Sequence, residues 1–305
     1  MAPIVEGYWG KQTATLDWCE ENYAVTYYVA EFWNTLSNAL MLLSPAVMVS
    51  LGLKENHEKR FVYSFVALAG NTLSNALMLL SPAVMVSLGL KENHEKRFVY
   101  SFVALAVVGL GSWLFHMTLR YSMQLMDEIP MIWGCSFQIY GLFMVTSKPG
   151  EKNSLLQIGL FSYCAVVTLV YILINNPIFH QVSYALLILC IVALSTRMLM
   201  TLKCSMPIYF TALFSYAFGF LLWNVDNVFC SQLRSIRELP PGSASGMLLE
   251  CHAWWHIFAG FGTYMGILFA MHARYVYLKK NPQLKYILGF WPYLTLSDDK
   301  VLKLR

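Results

Sequence analysis

Eight apolar stretches, most of them 18 to 26 residues long, divide this chain and leave little choice of fold. They run over 32–53, 61–90, 98–119, 129–146, 154–174, 181–202, 207–230 and 253–278. As a helix, about 20 apolar residues cross the ~30 Å hydrocarbon core of a bilayer, and a helix satisfies its own backbone there. Hydrophobic residues make up 57% of the chain and charged ones 12%, against roughly 25% charged in a soluble domain. The chain therefore reads as an all-α polytopic membrane protein, a seven-transmembrane helix bundle plus one extra apolar segment. Its first 30 residues are polar, acidic and aromatic, which does not fit a cleavable signal peptide.

Basic residues sort the connections. Lys54, Lys59 and Arg60, then Lys148 and Lys152, then Arg197 and Lys203, then Arg274, Lys279, Lys280 and Lys285 mark one set. The stretch 175–181 has no Lys or Arg, and Arg120 stands alone in its connection. The positive-inside rule puts the basic set in the cytosol and the N-terminal head on the other side, with Arg234 and Arg237 a mild exception. The net charge of +4 is spread between the apolar runs, so no nucleic-acid partner is expected. Seven cysteines are too few and too scattered for a disulfide scaffold. Cys135, Cys164 and Cys190 lie in apolar runs and read as packing residues. Cys19, Cys230 and Cys251 fall on one side of the membrane, where a single bridge among them suits an oxidising compartment.

Residues 34–69 and 71–106 are the same 36 letters. Repeats that build an architecture diverge, so this pair reads as a duplicated exon or an assembly error. The duplication fuses two ends into the run 61–90, long for one crossing and short for two. Preserved topology is the expectation: the head enters the first copy at Glu31, and Ser112 and His116 follow the second. The division is then an acidic non-cytosolic head over 1–30, a seven-helix hydrolase domain over 31–280 with 61–97 surplus, and a cytosolic tail over 281–305.

The chemistry gathers at His252-Ala-Trp-Trp-His256. Histidines at i and i+4 share one helix face, where their ring nitrogens can meet at one ion. His116 is a third candidate. Three histidines with one open position are the pattern of a catalytic zinc, at which water is acidified to a pKa of about 7. The pair lacks the Glu of the His-Glu-x-x-His metalloproteases, so Asp127 is the best proton-transfer group. Ser112 lies one turn before His116 on the same face, where its hydroxyl can steady an oxyanion. Taken singly, such a serine more often bonds its own backbone, and a His or Trp at this depth is an ordinary interface anchor. The argument for a site is convergence: His116, Asp127, His252 and His256 all fall near the non-cytosolic leaflet, where ionisable groups are costly. In the head, Asp17, Glu20, Glu21, Asn22 and Glu31 suit a hard cation. The spacing is not an EF-hand loop, and by itself reads as a solvated acidic head.

The chain resembles the alkaline ceramidases, closest to their type 3 branch, within a wider superfamily of seven-helix hydrolases that includes the adiponectin receptors. The resemblance rests on Asp17-Trp-Cys-Glu-Glu-Asn-Tyr23, Glu31-Phe-Trp-Asn34-Thr-Leu-Ser37-Asn38 and Gly111-Ser112-Trp-x-Phe-His116-Met-Thr. It continues through Gln124-Leu-Met-Asp127-Glu-x-Pro130, Trp223-Asn-x-Asp226-Asn227 and His252-Ala-Trp-Trp-His256. It implies hydrolysis of ceramide to sphingosine and fatty acid, with unsaturated long-chain ceramides preferred. It implies zinc at His116, His252 and His256, Asp127 as base and then acid, and Ser112 assisting. It places calcium at Asp17, the Trp18 carbonyl, Glu20, Asn22 and Glu31, a disulfide at Cys19–Cys230, and the protein in the endoplasmic reticulum and Golgi, where the charge rule makes the N-terminus lumenal; a monomer is expected. The competing readings are a seven-helix lipid receptor with structural zinc, an inactive variant owing to the duplication, and a transporter, which would want paired broken helices at mid-membrane.

Overall fold

The computed structural model describes residues 6–38, 95–237, 245–287 and 291–296. The first apolar run beyond residue 38, the fused run 61–90 and most of the surplus segment 61–97 lie outside the described residues. The fold is mostly helical. A head over 6–31 leads into helix α1, described over 32–38. The long helices α2 (Lys96–Thr118), α3 (Tyr121–Phe143), α4 (Ser154–Ile174), α5 (Pro177–Thr201) and α6 (Met206–Val228) follow. Two short helices, α7 (Cys230–Arg237) and α8 (Ser245–Leu248), lead to α9 (Cys251–Tyr277). Helices α2 to α6 are each long and apolar enough to cross a membrane. At about 1.5 Å per residue, 23 residues of α2 reach roughly 34 Å.

Local chemistry sets the ends. Between α4 and α5 the chain reverses at Asn175-Asn176-Pro177. Asn175 takes the left-handed conformation that ends a helix, at φ 53°, which Asn tolerates better than most residues. The Asn176 side chain accepts the Ile178 N–H as an N-cap, and Pro177 fills the first turn, where no N–H is needed. Helix α3 begins at Tyr121, eight residues before the apolar run. Its polar first turns are held by Gln124, whose amide nitrogen lies 2.9 Å from Glu128, 3.0 Å from the Tyr171 hydroxyl and 2.8 Å from the Thr15 hydroxyl.

Helix α9 is buried along nearly its whole length and packs chiefly on α6, while α2 packs chiefly on α3. The outer helices turn apolar side chains outward, with Leu173 73% and Met200 81% exposed, as a lipid-facing surface does. At the end away from the head, Arg274 is fully buried. It donates to the Val145 and Ser147 carbonyls at 2.8 and 2.6 Å and to Glu95 at 2.6 Å. Sequence reading counted it among the basic residues that mark the cytosolic side; it also ties α9 to the start of α2 and the end of α3. The tail also folds. Strands β1 (Pro282–Ile287) and β2 (Trp291–Leu296) pair antiparallel, Leu294 is buried in the core, and the Tyr264 hydroxyl donates to the Pro292 carbonyl at 2.7 Å.

Candidate active site

The head is fastened to the open end of the bundle. The N–H groups of Thr13 and Ala14 donate to the Leu119 carbonyl, Ala30 to Met117 and Glu31 to His116, all at 3.0 to 3.2 Å. Cys19 and Cys230 form a disulfide, and Cys251 is free and buried. Asp226 accepts the Cys19 N–H on one oxygen and the His252 N–H on the other, each at 3.1 Å. One carboxylate thus holds the head and caps α9. Arg234 and Arg237, the exceptions to the charge rule, are pinned here. Arg234 pairs with Glu21, and Arg237 with Glu21 and Glu250, and both donate to the Cys19 carbonyl.

Beneath the head, His116, His252 and His256 meet. All three are buried, and one ring nitrogen of each lies within 4.8 Å of the others, the only such cluster of metal-ligating groups among the described residues. Two of the rings are fixed from outside. The Ser37 hydroxyl donates to the Asn34 carbonyl at 2.8 Å, so at 2.8 Å from His256 Nδ1 its oxygen accepts. That places the proton on Nδ1 and leaves Nε2 bare toward the cluster. His116 Nδ1 is hydrogen-bonded to Glu31 Oε2, so its Nε2 is the nitrogen left toward the cluster. His252 stacks on Trp18 with centroids 3.8 Å apart, and its Nδ1 has no partner among the described residues. Neutral imidazoles oriented by outer hydrogen bonds, with inner nitrogens converging, fit a zinc ion at Zn–N distances near ~2.0–2.1 Å.

Ser112 Oγ lies 3.5 Å from His256 Nε2. The close approach that brings α2 to Asp127 depends on Gly111. A Cβ there would stand 1.9 Å from the Met126 carbonyl oxygen and 2.9 Å from the Asp127 nitrogen.

The head acids are spread more widely. Asp17, Glu20 and Glu31 do not come within the spacing the histidines reach. Glu20 caps α1, accepting the Trp33 and Asn34 N–H groups at 2.7 and 2.8 Å. The Trp18 carbonyl accepts from Arg234 at 3.3 Å, and Asn22 donates to Asp17 at 3.4 Å. Burial, and next the neighbouring Glu31, push the Glu20 carboxyl up to about 8. Asn22 Oδ1 and Glu31 Oε1 are buried without partners among the described residues. Orphaned oxygens beside these carboxylates fit a calcium ion, which takes oxygen ligands in flexible geometry.

Ser37, Asn38 and Asp226 belonged to motifs that sequence reading quoted without a role. Their signal was spacing: Asn34, Ser37 and Asn38 share one helical face just after Glu31, as residues three and four apart do.

The Ceramidase family model matches residues 10–70 and 62–296. This chain belongs to the ceramidase family. Its similarity to the mouse alkaline ceramidase 3 is 40% identity, covering 98% of this chain and 99% of the relative. The alkaline ceramidase YPC1 of Saccharomyces cerevisiae is 30% identical over 93% and 84%, and an Arabidopsis thaliana alkaline ceramidase 29% over 98% and 99%. The ceramidase is a membrane hydrolase, and the two matched segments overlap at 62–70, inside the repeated stretch.

Proposed function

We propose that this ceramidase hydrolyses the amide bond of ceramide to sphingosine and fatty acid, preferring unsaturated long-chain ceramides. Zinc would be held by His116, His252 and His256, and calcium by Asp17, the Trp18 carbonyl, Glu20, Asn22 and Glu31. The observation that carries the reading is the buried three-histidine cluster, with two outer nitrogens already engaged and their inner ones free. Zinc, when bound, supplies a Lewis acid that polarises the carbonyl and acidifies water.

The chain's own groups do the rest. Asp127 Oδ accepts a proton from the attacking water as its oxygen bonds the carbonyl carbon. The same carboxyl then delivers that proton to the departing nitrogen as the C–N bond breaks. The Ser112 hydroxyl donates to the oxyanion that develops on the carbonyl oxygen. Glu31 faces both ways: Oε2 orients His116, and Oε1 is free for the head cation. A calcium ion held by Glu31 Oε1 would stiffen the support that Oε2 gives to His116. The protein sits in endoplasmic reticulum and Golgi membranes as a monomer, N-terminus lumenal and C-terminus cytosolic.

The test is fatty-acid release from an unsaturated long-chain ceramide by membranes bearing the chain, with and without a zinc chelator. Release that the chelator stops and added zinc restores is expected, and His252→Ala should be silent while still inserted. Release indifferent to chelation, or unchanged in that variant, refutes the assignment.

A further inference from the structure

Three residues of the motif Gln124-Leu-Met-Asp127-Glu-x-Pro130 take no part in the chemistry above, and they surround the one that does. Pro130 lies inside α3. It has no N–H to give the Met126 carbonyl four residues back, and its ring crowds that carbonyl. Helices bend at such points. The turn that carries Asp127 is therefore missing a rung of its own ladder, and its shape has to be held from outside.

Glu128 supplies that hold. Its carboxylate is buried and faces α4 and α5. Tyr171 of α4 donates its hydroxyl to Oε2, and the Gln124 amide nitrogen lies 2.9 Å from the same oxygen. His180 of α5 grips the residue at both ends: its Nε2 donates to the Glu128 carbonyl at 2.8 Å, and its Nδ1 stands 3.4 Å from Oε1. The capped reversal at Asn175-Asn176-Pro177 brings Tyr171, one turn before it, and His180, one turn after it, to the same level. Gln124 in turn accepts the Thr15 N–H at 2.8 Å, which ties the set to the head. Gln124, Tyr171 and His180 are buried as well, and none of the four belongs to the histidine cluster. A buried carboxylate is costly unless it is hydrogen-bonded, and a satisfied buried network is rigid. A pin between helices could sit on any turn of α3; this one sits on the turn that Pro130 loosens.

We propose that Glu128 is a positioning residue for the hydrolysis: its clamped side chain and carbonyl fix the loosened turn of α3 and with it the place of the Asp127 carboxyl. This rests on the ceramide-hydrolase reading, in which Asp127 moves the proton, and adds to it the groups that hold Asp127 still. Glu128 acts through its neighbour and touches neither substrate nor metal. Proton transfer belongs to the transition state, so its impairment lowers kcat and leaves KM alone. A misplacement of about 1 Å is enough to cost about 10²-fold in rate.

The experiment measures kcat and KM for ceramide hydrolysis by the purified full chain, with zinc affinity read on the same samples by competition against a chromogenic chelator. Glu128→Leu should lower kcat about 10²-fold, with KM and zinc affinity within about threefold of the parent. Glu128→Gln keeps the size of the side chain and an acceptor oxygen for Tyr171 and Gln124, so its kcat should return to within about fivefold of the parent. Tyr171→Phe deletes one hydroxyl, and a fall in kcat of about tenfold is expected; this variant decides the matter if Glu128→Leu does not insert. An unchanged kcat in Glu128→Leu, or in Tyr171→Phe where it stands in, overturns the inference while the hydrolase reading stands. So does Glu128→Gln as slow as Glu128→Leu, which would give the carboxylate a chemical role, and so does zinc affinity that falls in step with kcat, which would make Glu128 a general pin of the bundle. A parent that turns over no ceramide refutes the hydrolase reading and this inference with it.

Discussion

Gly111→Ala tests whether the approach of α2 to α3 builds the site. The new methyl would lie 1.9 Å from the Met126 carbonyl oxygen, where ordinary contact begins at about 3.4 Å. The obstacle is backbone inside a helix, which cannot swing aside, so the helices must part by roughly 1.5 Å. Overpacking of this kind costs about 1–3 kcal/mol, which a folded bundle can survive. The geometry is less forgiving. Ser112 and His116 ride on α2 and Asp127 on α3, and a ~1 Å misplacement of reacting groups can cost about 10²-fold in rate. The expected outcome is an inserted protein with a lowered Tm and turnover down by that factor. Gly159→Ala is the control, since α4 leaves open space around Gly159. The assay is fatty-acid release per mole of folded protein, with thermal unfolding alongside. Gly111→Ala within threefold of the parent, at unchanged Tm, would show that the contact does not set the spacing of the groups.

Ser37→Ala removes the acceptor that fixes the His256 tautomer, and zinc affinity should fall about 10–100-fold in competition with a chromogenic chelator. Cys19→Ser should lower the stability of the docked head by about 2–4 kcal/mol, read as a drop in Tm that reductant reproduces in the parent. Arg274→Met strands two carbonyls and the Glu95 carboxylate. A loss of about 3 kcal/mol, discounted for the partly exposed Glu95, is expected in thermal unfolding with the metal site intact. Equal Tm values for that variant and the parent would mean the buried arginine contributes little.

The spans, the charge alternation and the paired histidines were legible because each is local: a run, a bias between runs, one turn of helix. The head's connections were not, because they join residues far apart. Ser37 and His256 are separated by 219 positions, and no spacing rule reaches that far. Arg274 looked like a tail charge because sequence places it beside Lys279 and Lys280. Only the carbonyls left over where α3 ends show why it is buried. The hairpin Pro282–Leu296 was overlooked because two strands of six residues are too short to stand out after the long apolar runs, and they gain stability from packing on α9. The acids of the head were visible, but Glu20 doubles as the cap of α1, a role that depends on where the head folds back.

The distances in sequence also impose an order in time. His252 and His256 arrive on the last long helix, His116 on α2, and the serine that orients His256 just after the head. A chain still emerging from the translocon holds scattered imidazoles and no pocket. The three-histidine cluster and the serine that touches it are therefore complete only when the final long helix slots against α6 and the head closes over it.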